Sequence, residues 1–590
     1  MSEVEKQEIR LEGVAASPGL AYAPGFLYQK KEFDIPMYFV EPDRVEKELD
    51  RFDGAILETR RQIQQIRSDI ASNLGEDEAK IFDAHLMVLE DVALIGETHE
   101  EIKKSGYNAE YCFHQTAQKY ISFFNNIDDE YLKERVSDIR DVARRLLANL
   151  LGRRDITESK LSDLVVGSVL VSKDLVPSDT ANLHSCDMAG LVTDSGGTTS
   201  HTAIMARSLG LPAVVGLHNI SELIHSGDQV LVDGYEGVVI INPSAETQAE
   251  YHEYRLRKES VEAVFSSEIY QPGFTLDNKE IPLSLNIEGI HDASKVVELN
   301  ATEVGLYRTE GVYLRDNKLV SEDAQFEEYK SVMESVEGKS VTFRTFDLGG
   351  DKLISAVGFK NKETNPFMGL RAIRYCLRFP DVFRAQLSAI LRASAFGNLK
   401  IMYPMISGLA ELLEANQILD DVKTSLDERC IDYDREIQIG SMIEIPSAAV
   451  MTDVIAEHCQ FISIGTNDLI QYMMAVDRVN DMISDLYEPY HPAVIRMIKH
   501  IVDTAHSKGV PVSVCGEMAG DPIFSSLLLG LGVDNLSVSP SSFAEVKYLI
   551  RHLSLEEAKS MSNEALGMTD PVKIYQLLKA FYIEIFRDII

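Results

Sequence analysis

His201 follows two glycines and three hydroxyl residues, Gly196-Gly197-Thr198-Thr199-Ser200. The apolar run Met188 to Asp194 reads as a short buried strand, and Ala203 to Leu209 as a helix that stops at Gly210 and Pro212. The hydroxyl of Thr199 or Ser200 suits the cap of that helix, which places His201 in its first turn. Free N–H groups and the positive end of the helix dipole favour an anion there. An imidazole that is largely neutral at physiological pH is a nucleophile able to accept and hold a phosphoryl group. A histidine flanked by hydroxyls could equally be a capped structural residue, so the rest of the chain must decide.

A second set of polar residues recurs at the ends of strand-like segments in the C-terminal half. These ends read Tyr307-Arg308-Thr309-Glu310, Arg344-Thr345-Phe346-Asp347, Met442-Ile443-Glu444, Gly465-Thr466-Asn467-Asp468 and Val514-Cys515-Gly516-Glu517. Arg371 follows Asn365-Pro366-Phe367, and Arg478 follows Val476-Asp477. Arginines converging on one mouth suit a phosphate and a carboxylate, which guanidinium binds bidentately. The carboxylates Glu444 and Asp468 suit a hard divalent ion such as Mg2+ shared with substrate oxygens. The turn at Gly465–Asp468 can also offer backbone N–H groups to phosphate.

Such a mouth needs a scaffold. Strand-like segments begin near Ile281, Glu303, Val341, Leu399, Ile437, Phe461, Val512 and Leu536, separated by helical pattern, which predicts a (β/α)8 barrel over residues 273–590. Residues 1–33 and 158–244 predict an α/β domain that carries His201. Between them, residues 34–157 predict a helical bundle. Val45, Leu49, Phe52, Ile56, Ile63 and Ile66 give a long amphipathic helix, with further helical pattern over 79–95, 109–124 and 129–151. Residues 245–272 form a charged helical run with little apolar stripe, which predicts a linker helix with hinges at its ends. The fold class is thus multidomain α/β.

Net charge is −36, from 57 Lys+Arg against 93 Asp+Glu, which disfavours nucleic acid and anionic membrane and favours a basic protein partner. No apolar run approaches the roughly 20 residues of a membrane span. The first residues lack a signal-peptide core, so the expected location is the cytoplasm. The six cysteines include no CxxC pair, which argues against a disulfide framework or a structural zinc site.

These motifs resemble a known family. Gly196 to Arg207 is similar to the phosphohistidine motif of phosphoenolpyruvate-utilising enzymes. Together with the Arg308, Arg344, Arg371, Asn467–Asp468 and Cys515 stretches and the insert segment Ile81 to Asp91, it resembles the phosphoenolpyruvate–protein phosphotransferases, Enzyme I of the bacterial sugar phosphotransferase system. The likeness runs from about residue 10 to the C-terminus. It implies that phosphoenolpyruvate binds in the barrel, held by Arg308, Arg344, Arg371, Arg478 and Asn467, with Mg2+ on Glu444 and Asp468. It implies phosphorylation of His201, protonation of the enolate by Cys515, and transfer to a histidine of the small carrier HPr docked on the helical insert, with 78–91 as the candidate stretch. A homodimer through the barrel is also implied. The chain departs from the family pattern at Val176, where a threonine is common, and at Thr198, where a basic residue is frequent. Dikinases and synthases with the same two domains need a nucleotide-grasp domain, for which residues 34–157 are too few and too helical. A nitrogen-regulatory paralogue would carry an added N-terminal sensory domain. A lyase barrel leaves the first 245 residues unexplained, and a binding-only regulator predicts loss of the reactive residues, all of which are intact.

Overall fold

In the computed structural model the described residues are 7–28, 33–73, 81–125, 130–152, 165–175, 187–197, 200–313, 320–348, 365–478, 480, 483 and 486–589. Val176, Thr198, Thr199, residues 349–352 of the Arg344 motif, residues 78–80 of the docking stretch and the boundary at 157/158 lie outside them. The chain divides into two units, residues 1–256 and 257–590. Among the described residues no helix is long and apolar enough to cross a membrane.

In the first unit the strands are β1 (Ile9–Glu12), β2 (Val14–Ser17), β3 (Leu20–Tyr28), β4 (Ser168–Ser172), β5 (Met188–Thr193), β6 (Ala213–Val215), β7 (Gln229–Asp233) and β8 (Val238–Ile241). They form one sheet in the order β1-β8-β7-β3-β4-β5-β6-β2. The β3-β4-β5-β6 run is parallel, and β4 and β5 are buried almost throughout, as their valine- and leucine-rich sequences require of strands covered on both faces.

The helices Val45–Asn73, Ile81–Leu89, Val92–Ser105, Ala109–Asn125 and Glu130–Leu150 lie in chain order between β3 and β4. Phe52, Ile63, Phe82, Phe113 and Leu146 are the centre of their core. One difference from the periodicity is instructive. The pattern over 79–95 is broken at Asp91, whose carboxylate accepts the N–H groups of Ala93 at 2.7 Å and Leu94 at 3.2 Å and so starts a new helix. That helix closes on Gly106, which adopts φ 69°.

The second unit is a closed parallel barrel. Its strands are β9 (Leu283–Ile287), β10 (Val304–Arg308), β11 (Val341–Arg344), β12 (Leu399–Tyr403), β13 (Gln438–Ile443), β14 (Phe461–Ile464), β15 (Val512–Val514) and β16 (Asn535–Val538). Each starts within two residues of its predicted position. The interior is filled in layers. At the N-terminal end Lys400 pairs with Glu303 at 2.8 Å, Asn535 donates to Glu303 at 3.0 Å, and Ser284 donates to Asn535 at 3.0 Å. The Phe461 ring enters this end because β13 offers it a glycine: a Cβ on Gly440 would lie 2.3 Å from the ring. Leu306, Met402 and Met442 form an apolar layer above, together with Cys515.

The helix Ala245–Glu268 crosses the boundary between the units and buries none of its residues. It is nevertheless held near both ends. Tyr251 packs on Leu231, Val238 and Ile240, while Phe265 meets Tyr548 at 5.4 Å and Phe586 at 6.0 Å between ring centroids.

Candidate active site

His201 is the first residue of the helix His201–Ser208, which follows β5. The Ser200 hydroxyl accepts the Ala203 N–H at 3.3 Å, so the expected cap is Ser200. Gly196 has φ 114°, a conformation open to glycine, and turns the chain from strand to helix. Asp194 braces this loop by accepting the Ser221 N–H at 3.0 Å.

In the barrel the remaining sequence-selected residues come together. Arg308, Arg344, Arg371, Glu444, Asn467, Asp468, Arg478 and Cys515 all line one cavity of about 230 Å³ at the C-terminal ends of the strands. Arg344 lies against Glu310 at 3.2 Å and Asp347 at 3.1 Å. Burial alone would disfavour its charge, but these two carboxylates outweigh burial and keep the guanidinium cationic. Arg371 bridges Asp347 and Asp468, at 3.1 Å from each, and reaches the Tyr472 hydroxyl at 3.3 Å. Arg308 pairs with Glu288. Among the described residues the buried Nε atoms of Arg308 and Arg344 have no partner, two donors that an anion in the cavity could satisfy.

Glu444 Oε1 accepts the Met405 N–H at 2.6 Å, and Met405 adopts φ 58° to present it. Ala372, beside Arg371, is likewise held at φ 52°. Backbone of this kind is costly outside glycine and gathers where geometry is constrained by function. Burial, then the charges of Asp468 and Asp347, push the Glu444 carboxyl up to about 8. Asp468 Oδ1 is buried and has no partner among the described residues. Two crowded carboxylates with an unsatisfied hard oxygen fit a divalent cation such as Mg2+. Among the described residues no group of three or more His, Cys, Asp and Glu is placed to hold a metal ion, so Glu444 and Asp468 would share it with oxygens from outside the chain.

Gly465 to Asp468, expected as a turn, is the start of the helix Thr466–Met474, with Asp468 in its first turn. Asn467 is held reciprocally by Glu517: its Nδ2 donates to the carboxylate at 3.0 Å and its Oδ1 accepts the Glu517 N–H at 2.8 Å. Tyr487 donates to the Asn467 carbonyl at 3.3 Å. Cys515 is buried, and burial raises its thiol above the usual range, so it is neutral at physiological pH.

The site also depends on residues to which the motifs assign no role. Asp347 joins Arg344 to Arg371, and its place three residues after Arg344 at a strand end was a usable signal. Glu310 and Tyr472 support the arginines from neighbouring elements. Met405 acts through its backbone, for which its side-chain type carries no signal.

Residues 12–135 match the PEP-utilising enzyme N-terminal domain, 164–237 the PEP-utilising enzyme mobile domain, and 264–555 the PEP-utilising enzyme PEP-binding domain. The chain is 43% identical over 573 residues to the phosphoenolpyruvate-protein phosphotransferase of Bacillus sp. (strain S), covering 97% of this chain and 98% of the relative. The protein of that name from Geobacillus stearothermophilus gives the same identity and coverage. The one from Bacillus subtilis (strain 168) is 43% identical over 569 residues, 96% of this chain and 99% of the relative. With three domains matched in order and near-complete coverage at this identity, the chain belongs to the phosphoenolpyruvate-protein phosphotransferase family of PEP-utilising enzymes.

Proposed function

We propose that this protein is a transferase that moves the phosphoryl group of phosphoenolpyruvate to its own His201 and from there to a histidine of the small carrier HPr, the first step of sugar uptake by the phosphotransferase system. The observation that carries the reading is the single cavity that collects Arg308, Arg344, Arg371 and Arg478 with Glu444, Asp468 and Cys515.

Four guanidinium groups supply bidentate donors for a phosphate and a carboxylate. Glu444 and Asp468 would hold Mg2+, which supplies neutralising charge for the phosphate and carboxylate oxygens. Asn467, fixed by Glu517, stands at the start of a helix whose free N–H groups add to the anion field. In the transfer the bond between phosphorus and the enol oxygen breaks and a bond from phosphorus to an imidazole nitrogen of His201 forms. Catalysis is chiefly positioning and charge stabilisation. The enolate left behind takes a proton at carbon from the neutral Cys515 thiol, giving pyruvate and a thiolate that regains its proton from water. His201 then yields the phosphoryl group to HPr. The net charge of −36 suits a basic carrier surface docked on the helical insert, with 78–91 as the candidate stretch. We place the protein in the cytoplasm, as a homodimer formed through the barrel.

The test is incubation with labelled phosphoenolpyruvate and Mg2+, for the native protein and His201→Ala, followed by addition of HPr. Acid-labile, base-stable label that requires His201 and moves to HPr is the expected result. Absence of label on the native protein would overturn the reading in favour of a binding-only regulator.

A further inference from the structure

Gln386 lies in the middle of the helix Pro380–Ala393, outside the cavity, and is 1% exposed. Its amide is hydrogen-bonded at both ends. Oε1 accepts the Phe346 N–H at 2.9 Å, and Nε2 donates to the Thr309 hydroxyl at 3.0 Å and reaches the Tyr329 hydroxyl at 3.5 Å. The backbone N–H of Phe346 requires an acceptor, which fixes the orientation of the amide. Thr309 passes the contact on: its hydroxyl donates to the Arg344 carbonyl at 3.0 Å. Tyr329 in turn donates to Gln325 at 3.2 Å, so the network is anchored in a second helix, Glu322–Ser335.

The neighbours of these contact points are the cavity residues. Phe346 immediately precedes Asp347, which holds Arg344 and Arg371. Thr309 stands between Arg308, which lines the cavity, and Glu310, which pairs with Arg344 and accepts the Asp347 N–H at 3.1 Å. One buried amide therefore ties together the ends of β10 and β11, the two strands that carry Arg308 and Arg344. We infer that Gln386 is a positioning residue for phosphoenolpyruvate: it sets the register of the Arg308, Arg344 and Asp347 side chains without touching substrate.

The inference rests on the proposed reading of the cavity, and it separates from a purely structural role by what it does to substrate affinity. A residue that merely helps the barrel fold changes the fraction of active protein, which lowers kcat and leaves KM alone. A residue that aims two arginines changes the site itself, and misplacement of about 1 Å by a remote substitution can cost on the order of a hundredfold. In the full-length protein, Gln386→Leu and the near-isosteric Thr309→Val should each raise KM for phosphoenolpyruvate. We expect about 10- to 100-fold for Gln386→Leu and less for Thr309→Val. The double variant should be little worse than Gln386→Leu alone, because both substitutions cut the same connection. Arg344→Ala is measured in parallel. If Arg344→Ala weakens phosphoenolpyruvate binding while both network variants keep the native KM, the positioning role is overturned and the cavity reading stands. If Arg344→Ala leaves binding unchanged, both are overturned. Full additivity of Gln386→Leu and Thr309→Val would also sink the inference. Should Gln386→Leu not fold, Thr309→Val carries the test on KM.

Discussion

The sharpest prediction concerns Gly516, one residue after Cys515. Its φ of −78° and ψ of 176° are ordinary extended values that alanine adopts freely, so Gly516→Ala carries no conformational penalty of its own. The obstacle is space. A Cβ at this position would lie 1.9 Å from Thr466 Oγ1, 2.8 Å from the Thr466 nitrogen and 3.0 Å from Asn467 Oδ1. A carbon and an oxygen come no closer than about 3.3 Å, so the first contact is short by about 1.4 Å. Rotation of the fully buried Thr466 side chain cannot relieve it, because the backbone nitrogen is also too near. The start of the helix Thr466–Met474 must move away, and Asn467 and Asp468 move with it. Overpacking of this kind costs about 1–3 kcal/mol in stability. The displaced site should lose about a hundredfold in kcat/KM for phosphoenolpyruvate. Pyruvate release coupled to NADH oxidation reads the activity, and calorimetry reads the barrel transition. Addition of Thr466→Ala removes the 1.9 Å contact and should recover part of the activity. Activity of Gly516→Ala within twofold of native would refute the reasoning, since it would mean that the helix start does not need its present place.

Two further outcomes follow from the same cavity. Gly465→Ala would bring a Cβ to 2.6 Å from Glu444 Oε2, so it should weaken binding of Mn2+, followed by electron paramagnetic resonance, at least about tenfold while the fold is kept. Native Mn2+ affinity in this variant would remove Glu444 from the cation site. Cys515→Ala should lower pyruvate release by about a hundredfold or more while binding of phosphoenolpyruvate changes little. Because burial raises the thiol pKa above the free value of 9.0, Cys515 stays protonated at neutral pH and loses its proton only as pH rises beyond that value. The ratio of variant to native activity should therefore be flat from about pH 6 to about pH 8. A ratio that changes tenfold in that window would assign the proton to another group.

The barrel was legible because its strands are short runs of Val, Ile and Leu bounded by polar residues, a pattern that leaves little choice for strands buried on both faces. The cavity was legible for a related reason: charged residues such as Arg308, Glu444 and Asp468 at the ends of such runs have no place in a core and must face the mouth. What escaped notice acts at a distance in sequence. Gln386 looks like any polar residue of an amphipathic helix, and only the pairing of β10 with β11 brings Thr309 and Phe346 to it. Gly465 reads as a turn residue and Gly516 carries no signal, whereas their lack of a side chain matters because Glu444 and Thr466 arrive there from neighbouring elements. The break at Asp91 had a local signal, a capping carboxylate, but the apolar period continued across it and masked the cap.

The filled lower end of the barrel has a consequence for traffic. Lys400, Glu303 and Asn535 are hydrogen-bonded across it with the Phe461 ring beside them, while the cavity lies at the other end, where the C-terminal ends of the strands stand. Traffic to the cavity then runs through that mouth. Fresh substrate, spent pyruvate and whatever group accepts the phosphoryl share it. An acceptor that occupied the mouth would block exchange through it, and its withdrawal would restore that exchange. Turnover through a shared mouth would then be a sequence of visits, each carrying away a single phosphoryl group.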